Sequence, residues 1–261
     1  MKLDLRHFAS VGSTQDICRR LAECGAAEGV TIVADEQTAG RGRVGHHWFS
    51  PPGQAIYTSI LLRPSLGMAQ ANWITMIAAL AVTDTVAILG ANAVGADARS
   101  APTASAPTAT IKWFNDVLLG GKKVCGILVE TAVIADQLEY AILGIGLNVN
   151  TAFGHAPDDV HARASSLREA WGLDAQIDRA AALQLLLAQF DQRYTQLIDT
   201  QHSPAPEYAQ RMDTLGKWVR VQVGDDIIEG LACTVDDWGG LCIQTNRGIR
   251  KAHFGHILSA S

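Results

Sequence analysis

The segment from Ala34 to Pro51, ADEQTAGRGRVGHHWFSP, sets the terms for the rest of the chain. It reads as a loop strung between two strand-like runs, Thr31-Ile-Val-Ala34 before it and Ala55-Ile-Tyr-Thr-Ser-Ile-Leu-Leu62 after it, with a Pro51-Pro52-Gly53 turn between them. A loop held at both ends by sheet is how a rigid scaffold presents functional side chains. Gly40, Gly42 and Gly45 let the backbone reach positive φ and approach a ligand closely. Exposed N–H groups in such turns make anion-binding concavities. Arg41 and Arg43 add charge that cannot be titrated away, with forked donors matched to carboxylate or phosphate. Trp48 offers a flat apolar surface that can cover a ring. Ordinary surface loops also carry Gly and Arg, so the anion-site reading depends on what surrounds this one.

Composition excludes several classes. At 261 residues there is material for one large domain, or one plus a small one. Hydrophobic residues at 48% against charged residues at 18% describe a globular chain. A net charge of −5 gives no global field toward nucleic acid or an anionic membrane. The amino terminus, MKLDLRHFASVG, lacks the apolar core of a signal peptide, and no 18-residue apolar run is expected anywhere after it. The five cysteines (Cys18, Cys24, Cys125, Cys233, Cys242) form no C-x-x-C pair. That argues against a disulfide framework and against a zinc site, and fits a reducing cytoplasm.

Along the chain, Ser13-Thr14-Gln15-Asp16 precedes Ile17, Leu21 and Ala22 at helical spacing, so Ser13 or Thr14 reads as a helix N-cap. The same helix start presents N–H groups and hydroxyls to a polar ligand atom. Trp73, Met76, Ile77 and Leu80 share one helical face and read as core. Residues 90–110, rich in Ala, Pro, Ser and Thr, read as a mobile loop within one domain. Thr110–Leu119, Gly120-Gly121 and Val124–Glu130 read as a hairpin carrying Lys112, Asn115, Asp116 and Lys123. Lys112 points away from Ile111 and Trp113, with which it alternates. Gly144 and Gly146 weaken the following strand, Tyr140–Asn148, unless something must approach its backbone. Farther on, Asp178 starts a helix with Leu183, Leu186, Leu187, Phe190, Tyr194 and Leu197 on one stripe. From Leu215 short alternating strands predict a small all-β barrel.

ADEQTAGRGRVGHHWFSP, with STQ at 13–15, KWFND at 112–116, KKVCGILVE at 122–130 and GIGLNVN at 144–150, resembles the biotin protein ligase family over roughly residues 10–150. The resemblance implies an α+β fold: a mixed-sheet catalytic domain of the biotin/lipoate ligase type at 1–213, and a small SH3-like β-barrel at 214–261. It implies activation of biotin by ATP to biotinyl-5′-AMP, then transfer to one lysine of a biotin carboxyl carrier domain of a biotin-dependent carboxylase. Biotin contacts would come from Ser13, Thr14, Gln15, Gln37, Gly40, Arg41, Gly42, Arg43, Lys123, Gly126 and Gly144. ATP or adenylate contacts would come from Arg41, Arg43, Trp48, Lys112, Asn115, Lys123 and Asn148. The catalytic set implied is Arg43, Lys112, Asp116 and Lys123, with Asp116 orienting or deprotonating the incoming lysine. Mg2+ would accompany ATP as counter-ion, with no tightly bound metal and ligands that no motif names.

Two positions depart from the family. Phe114 stands where it has proline in KWPND, which leaves the placement of Asn115 and Asp116 less constrained. His46 and His47 stand where basic residues commonly follow the Gly/Arg stretch. The carboxy-terminal unit either serves ATP or carrier contact or is a stabilising appendage. Only about a dozen residues precede Ser13, too few for a helix-turn-helix unit, so a ligase without repressor function or nucleic-acid partner is expected. Two alternatives remain: a lipoate- or octanoate-type protein ligase, and a biotin-binding sensor that has lost turnover.

Overall fold

The computed structural model describes residues 1–45, 47–96 and 107–261. Its elements in order are β1 (Asp4–Phe8), α1 (Thr14–Glu23), β2 (Val30–Ala34), β3 (Ile56–Leu62), α2 (Ala71–Ala96), β4 (Ala109–Lys112), β5 (Asp116–Leu119), β6 (Lys122–Ile134) and β7 (Gln137–Leu147). They continue with α3 (Asp158–Arg163), α4 (Leu167–Ala170), α5 (Arg179–Thr200), α6 (Ala205–Gln210), β8 (Trp218–Val223), β9 (Asp226–Val235), β10 (Leu241–Thr245), β11 (Gly248–Ala252) and β12 (His256–Ala260).

The first seven strands form one mixed sheet in the order β1-β2-β3-β7-β6-β5-β4. The β1/β2 pair is parallel and the other pairs are antiparallel. Every residue of the interior strands β2 and β3 is buried, as continuous apolar runs covered on both faces should be. Period-2 alternation sorts their side chains. Ile60, Leu62 and Leu143 enter the main core with α2 and α5, whereas Leu61 and Ile142 pack with Cys18 and Ala22 of α1. Helix α1 therefore covers one face of the sheet, and α2, backed by α5, covers the other.

Helix α2 carries Trp73, Met76, Ile77 and Leu80 inward as expected, and it runs farther than the composition suggested. Residues 90–96, read as the start of a mobile loop, continue the helix. Alanine-rich sequence is compatible with helix as well as loop, and Gly90 lets the Trp171 indole pack against the backbone. The rest of that expected loop, 97–106, lies outside the described residues. The span Met68–Ala93 is long and apolar enough to cross a membrane by length and composition, with Asp84 its one charged residue, yet 72% of its most apolar 18-residue window is buried inside the protein, against the expectation that no such run exists. It is the central core helix.

The expected strand 110–119 is broken by a turn at 113–115 into β4 and β5, with a cis peptide between Trp113 and Phe114. That turn is pinned from several sides. The Trp113 N–H donates to Thr214 Oγ1 (2.9 Å), the Tyr208 hydroxyl to the Phe114 carbonyl (2.6 Å) and the Trp113 indole to the Gly239 carbonyl (3.0 Å).

Strands β8–β12 form a second, antiparallel sheet in the order β11-β10-β9-β8-β12. Among the described residues no ladder joins β11 to β12, so the sheet is an open series in place of the expected closed barrel. Its inward residues Val219, Val221, Ile243 and Ile257 join the main core. Trp238 stacks on Trp73 of α2 at 5.7 Å, and the Trp73 indole donates to the Asp237 carbonyl (2.6 Å). Asp178 caps α5 through bonds from the Ala180 and Ala181 amides, as its sequence position implies.

Candidate active site

The α1 face of the sheet is paved by glycine where β3, β7 and β6 run side by side. Register places Tyr57, Gly146 and Gly126 in one row and Ser59, Gly144 and Leu128 in the next. The third row, Leu61, Ile142 and Glu130, passes under α1. Three glycines leave the sheet surface bare, and other groups lie directly on the backbone. A Cβ added at Gly126 or Gly146 would meet the Trp48 indole at 2.7 Å, and one at Gly144 would meet Gln15 Oε1 at 2.9 Å. The strand-weakening glycines thus permit close approach.

Over this floor lies a narrow cleft of about 60 Å3, open to solvent at one side. Its walls are Ser13, Thr14 and Gln15 from the start of α1, Gln37, Arg41, Gly42, Arg43 and Trp48 from the loop, and Asn115 and Lys123 from the hairpin. A hydroxyl–amide chain braces one wall. Ser59 Oγ donates to Thr14 Oγ1 (2.8 Å), which donates to Gln37 Oε1 (3.1 Å), an atom that also accepts from the Thr14 N–H (2.9 Å). Ser13 occupies the N-cap position, yet its hydroxyl makes no cap bond. That hydroxyl, Gln15 Oε1 and the Trp48 indole nitrogen are buried without a protein partner, and all three residues line the cleft. Native interiors rarely leave such groups unmet, so their convergence marks a place for a polar ligand.

The two loop arginines are used differently. Arg41 is neutralised by Asp16 at 2.6 Å and reaches Glu130 at 3.5 Å, tying the loop to α1 and β6. Glu130 also takes Arg19 at 2.7 Å and the Gln15 amide at 3.3 Å. Among the described residues Arg43 has no ion pair. Its guanidinium lies 4.1 Å from the Phe114 ring centroid and donates to the Gly255 carbonyl (3.0 Å). Burial pulls its pKa down from the ordinary arginine value, and the nearby Asp116 opposes that shift. Lys123 pairs with Asp116 at 2.6 Å and sits 5.1 Å from the Trp48 ring centroid. Arg43 and Lys123 both line the one cleft.

Other sequence-predicted residues fall at or beyond its edge. Asp116 touches the cleft through Lys123, and Lys112 pairs with Asp116 across β4 and β5 without lining the cleft itself. Gly40 lies behind the wall, where a Cβ would stand 2.7 Å from Ser50 Oγ. Asn148 is buried away from the cleft lining and donates to the Ser165 carbonyl (3.1 Å), holding the chain that leads into α4. Asn115 donates to the Ile127 carbonyl (2.8 Å) and accepts the Ile127 N–H (2.9 Å), so its position is fixed without proline at 114. His47 is exposed and bridges to Arg41; His46 lies outside the described residues. Sequence reading missed Tyr57, Thr58, Ser59, Leu128 and Ile145 in the lining, and Glu130 as an anchor.

Among the described residues no three His, Cys, Asp or Glu side chains gather as a metal site. Burial raises the Cys18 thiol to about 12 and pushes the Cys125 thiol up as well, so neither is a thiolate near neutrality.

A model of the biotin/lipoate A/B protein ligase family matches residues 8–148, and one of the biotin protein ligase C-terminal domain matches residues 214–258. The chain belongs to the biotin/lipoate A/B protein ligase family. A biotin–[acetyl-CoA-carboxylase] ligase of this family from Paracoccus denitrificans is 32% identical over 245 residues, covering 92% of this chain and 94% of its own. The bifunctional ligase/repressor BirA of Bacillus spizizenii is 35% identical over 252 residues, covering 95% of this chain and 71% of its own. The structure of a biotin protein ligase from Aquifex aeolicus in complex with biotin and ATP aligns with a TM-score of 0.75 at 28% identity, over 99% of this chain and 98% of that one.

Proposed function

We propose that the protein is an ATP-dependent biotin protein ligase. It activates biotin to biotinyl-5′-AMP and transfers the biotinyl group to a lysine of a biotin carboxyl carrier domain. One observation carries the choice of acid: Ser13 Oγ and Gln15 Oε1 are buried and unpartnered beside the glycine floor. A ureido ring brings both donors and a carbonyl to such groups. The dithiolane of lipoate brings none, and would leave them unmet at about 1–3 kcal/mol each. The match to a biotin protein ligase C-terminal domain supports the same choice.

With the ring at the α1 end beside Gln15, the valeryl chain runs along the cleft toward Lys123 and Arg43. There the biotin carboxylate attacks the α-phosphate and pyrophosphate leaves. Two anions meet in that step, and fixed cations aimed at the accumulating charge lower its barrier. Lys123 and Arg43 supply them, and Trp48 covers the mixed anhydride against water. In the second step a neutral lysine amine attacks the acyl carbon and AMP leaves, with Asp116 at the cleft edge accepting or orienting the proton. The carboxylates near the cleft (Asp116, Asp16 and Glu130) each face a cation, so the chain fits a hydrated Mg2+ carried mainly by the nucleotide phosphates. When bound, that ion neutralises triphosphate charge. We read residues 1–213 as the catalytic domain and 214–261 as a second domain. All five cysteines are free, which fits the reducing cytoplasm.

The test is intact-mass analysis of a biotin carboxyl carrier domain after incubation with enzyme, MgATP and either biotin or lipoate. One added biotinyl group and no lipoyl group is expected. Lipoylation would make this a lipoate ligase, and an unmodified carrier with bound biotin would make it a sensor.

A further inference from the structure

Arg43 is the one loop arginine whose charge no carboxylate neutralises among the described residues, and both groups that hold it are uncharged. The Phe114 ring takes one face of the guanidinium at 4.1 Å, and the Gly255 carbonyl accepts Nη1–H at 3.0 Å. Each partner is itself fixed. The Phe114 carbonyl is bonded by Tyr208, and its ring leans on the Trp113 ring at 5.2 Å. Gly255 has φ +145°, and a Cβ there would stand 2.4 Å from the Gln222 carbonyl, so its backbone is seated tightly on β8. Arg43 stands between the glycine-floored cleft and a neighbouring hollow formed by Asn72, Thr75, Phe114 and Val129. An arginine held by a carboxylate would have spent its charge on the protein. One held by a ring and a carbonyl keeps it for an incoming anion.

We propose that Phe114, at the position where the resembling family carries proline, is a positioning residue for adenylation: with the Gly255 carbonyl as a catch on the C-terminal sheet, it holds Arg43 charged and unpaired beside the cleft for the adenylate phosphate. The claim that adenylate is the ligand rests on the ligase reading; the clamp itself does not.

The experiment compares the full chain with Phe114→Leu, which keeps apolar bulk and removes the ring face, and with Phe114→Tyr, which keeps the face. Cation–π contacts of this kind correspond to about fivefold in an equilibrium. In Phe114→Leu the half-life of enzyme-bound biotinyl-5′-AMP should shorten by about fivefold. The kcat/KM for ATP in biotin-dependent pyrophosphate exchange should fall by a similar factor, with the biotin KM within about twofold. Tryptic cleavage after Arg41 and Arg43 in the ligand-free protein should quicken by about fivefold. Phe114→Tyr should recover all three. Unchanged values in Phe114→Leu, or equal losses in Phe114→Tyr, overturn the proposal. If Phe114→Leu does not fold, Phe114→Met is held to the same criteria. A wild-type chain with no exchange activity whose loop cleavage still responds to Phe114→Leu would sink the ligase reading and keep the clamp. Normal exchange with cleavage and half-life unmoved would do the reverse.

Discussion

Gly144→Ala and Gly146→Ala place one methyl group each, two residues apart on β7, and should damage different halves of the reaction. Neither glycine has a positive φ, so alanine fits the backbone and gains about 0.4–1 kcal/mol through the unfolded state. At 144 the new Cβ would lie 2.9 Å from Gln15 Oε1 and 3.1 Å from Gln15 Cδ, so Gln15 must swing away. Its two bonds, to Glu130 at 3.3 Å and the Ile142 carbonyl at 3.5 Å, are long, and losing them costs about 1 kcal/mol. Folding stability should therefore stay within about 1 kcal/mol of the parent. Ligand binding should not, because Gln15 displaced from the floor intrudes on the ligand's space and overpacks the bound state by about 1–3 kcal/mol, or roughly 5- to 150-fold in affinity. At 146 the methyl meets the Trp48 indole at 2.7–2.9 Å, on the nucleotide side. The assay is biotin-dependent pyrophosphate exchange, with biotin varied at saturating ATP and the reverse, beside thermal melts. Gly144→Ala should raise mainly the biotin KM, and Gly146→Ala mainly the ATP KM. A biotin KM within about twofold for Gly144→Ala, or identical effects from both variants, would refute the layout of the cleft.

Lys123→Ala removes a cation from the adenylation centre and leaves Asp116 without its 2.6 Å partner, so exchange should fall by about 100-fold; a loss under about threefold contradicts the role. Phe190 is 1% exposed and stacks on Tyr194, so Phe190→Ala should cost about 3–5 kcal/mol in urea unfolding, and less than about 1 kcal/mol would show the core misread. The hydrogen bond from Arg193, with the charges of Arg193 and Arg211, lowers the Glu207 pKa below the ordinary 4.5 against an opposing effect of burial. Its stabilising contribution is fully present above its unfolded value and is lost as pH falls through the depressed folded value. The urea midpoint of the parent should consequently decline more steeply below about pH 4.5 than that of Glu207→Gln, and parallel declines would exclude the linkage.

The Gly/Arg loop, the STQ helix start and the hairpin lysine were legible because their chemistry resides in residue identity within short runs. The floor was only half legible. Gly126 and Gly144 announce themselves by type, but Tyr57, Ser59 and Leu128 enter the cleft only through the pairing register of β3, β7 and β6, and a one-residue slip would turn each to the opposite face. The same holds for Glu130, which joins Gln15, Arg19 and Arg41 across distant segments. Strands β1 and β12 escaped reading because they are short, and every residue of β1 is exposed, so their alternation carries little apolar contrast. Residues 90–96 misled because alanine suits a helix end as readily as a loop. The replacement of proline at 114 promised a looser hairpin, whereas Tyr208, Thr214 and Gly239 hold that turn from elements no local pattern connects to it.

The most direct measurement is a crystal structure of the chain with biotin and ATP. A biotinyl-adenylate should lie in the cleft against Gln15 and Trp48, its ureido ring bonded to Ser13 and Gln15 and its phosphate beside Arg43 and Lys123. Density confined to the hollow beside Asn72 and Thr75, with those two polar groups still unpartnered, would contradict this reading.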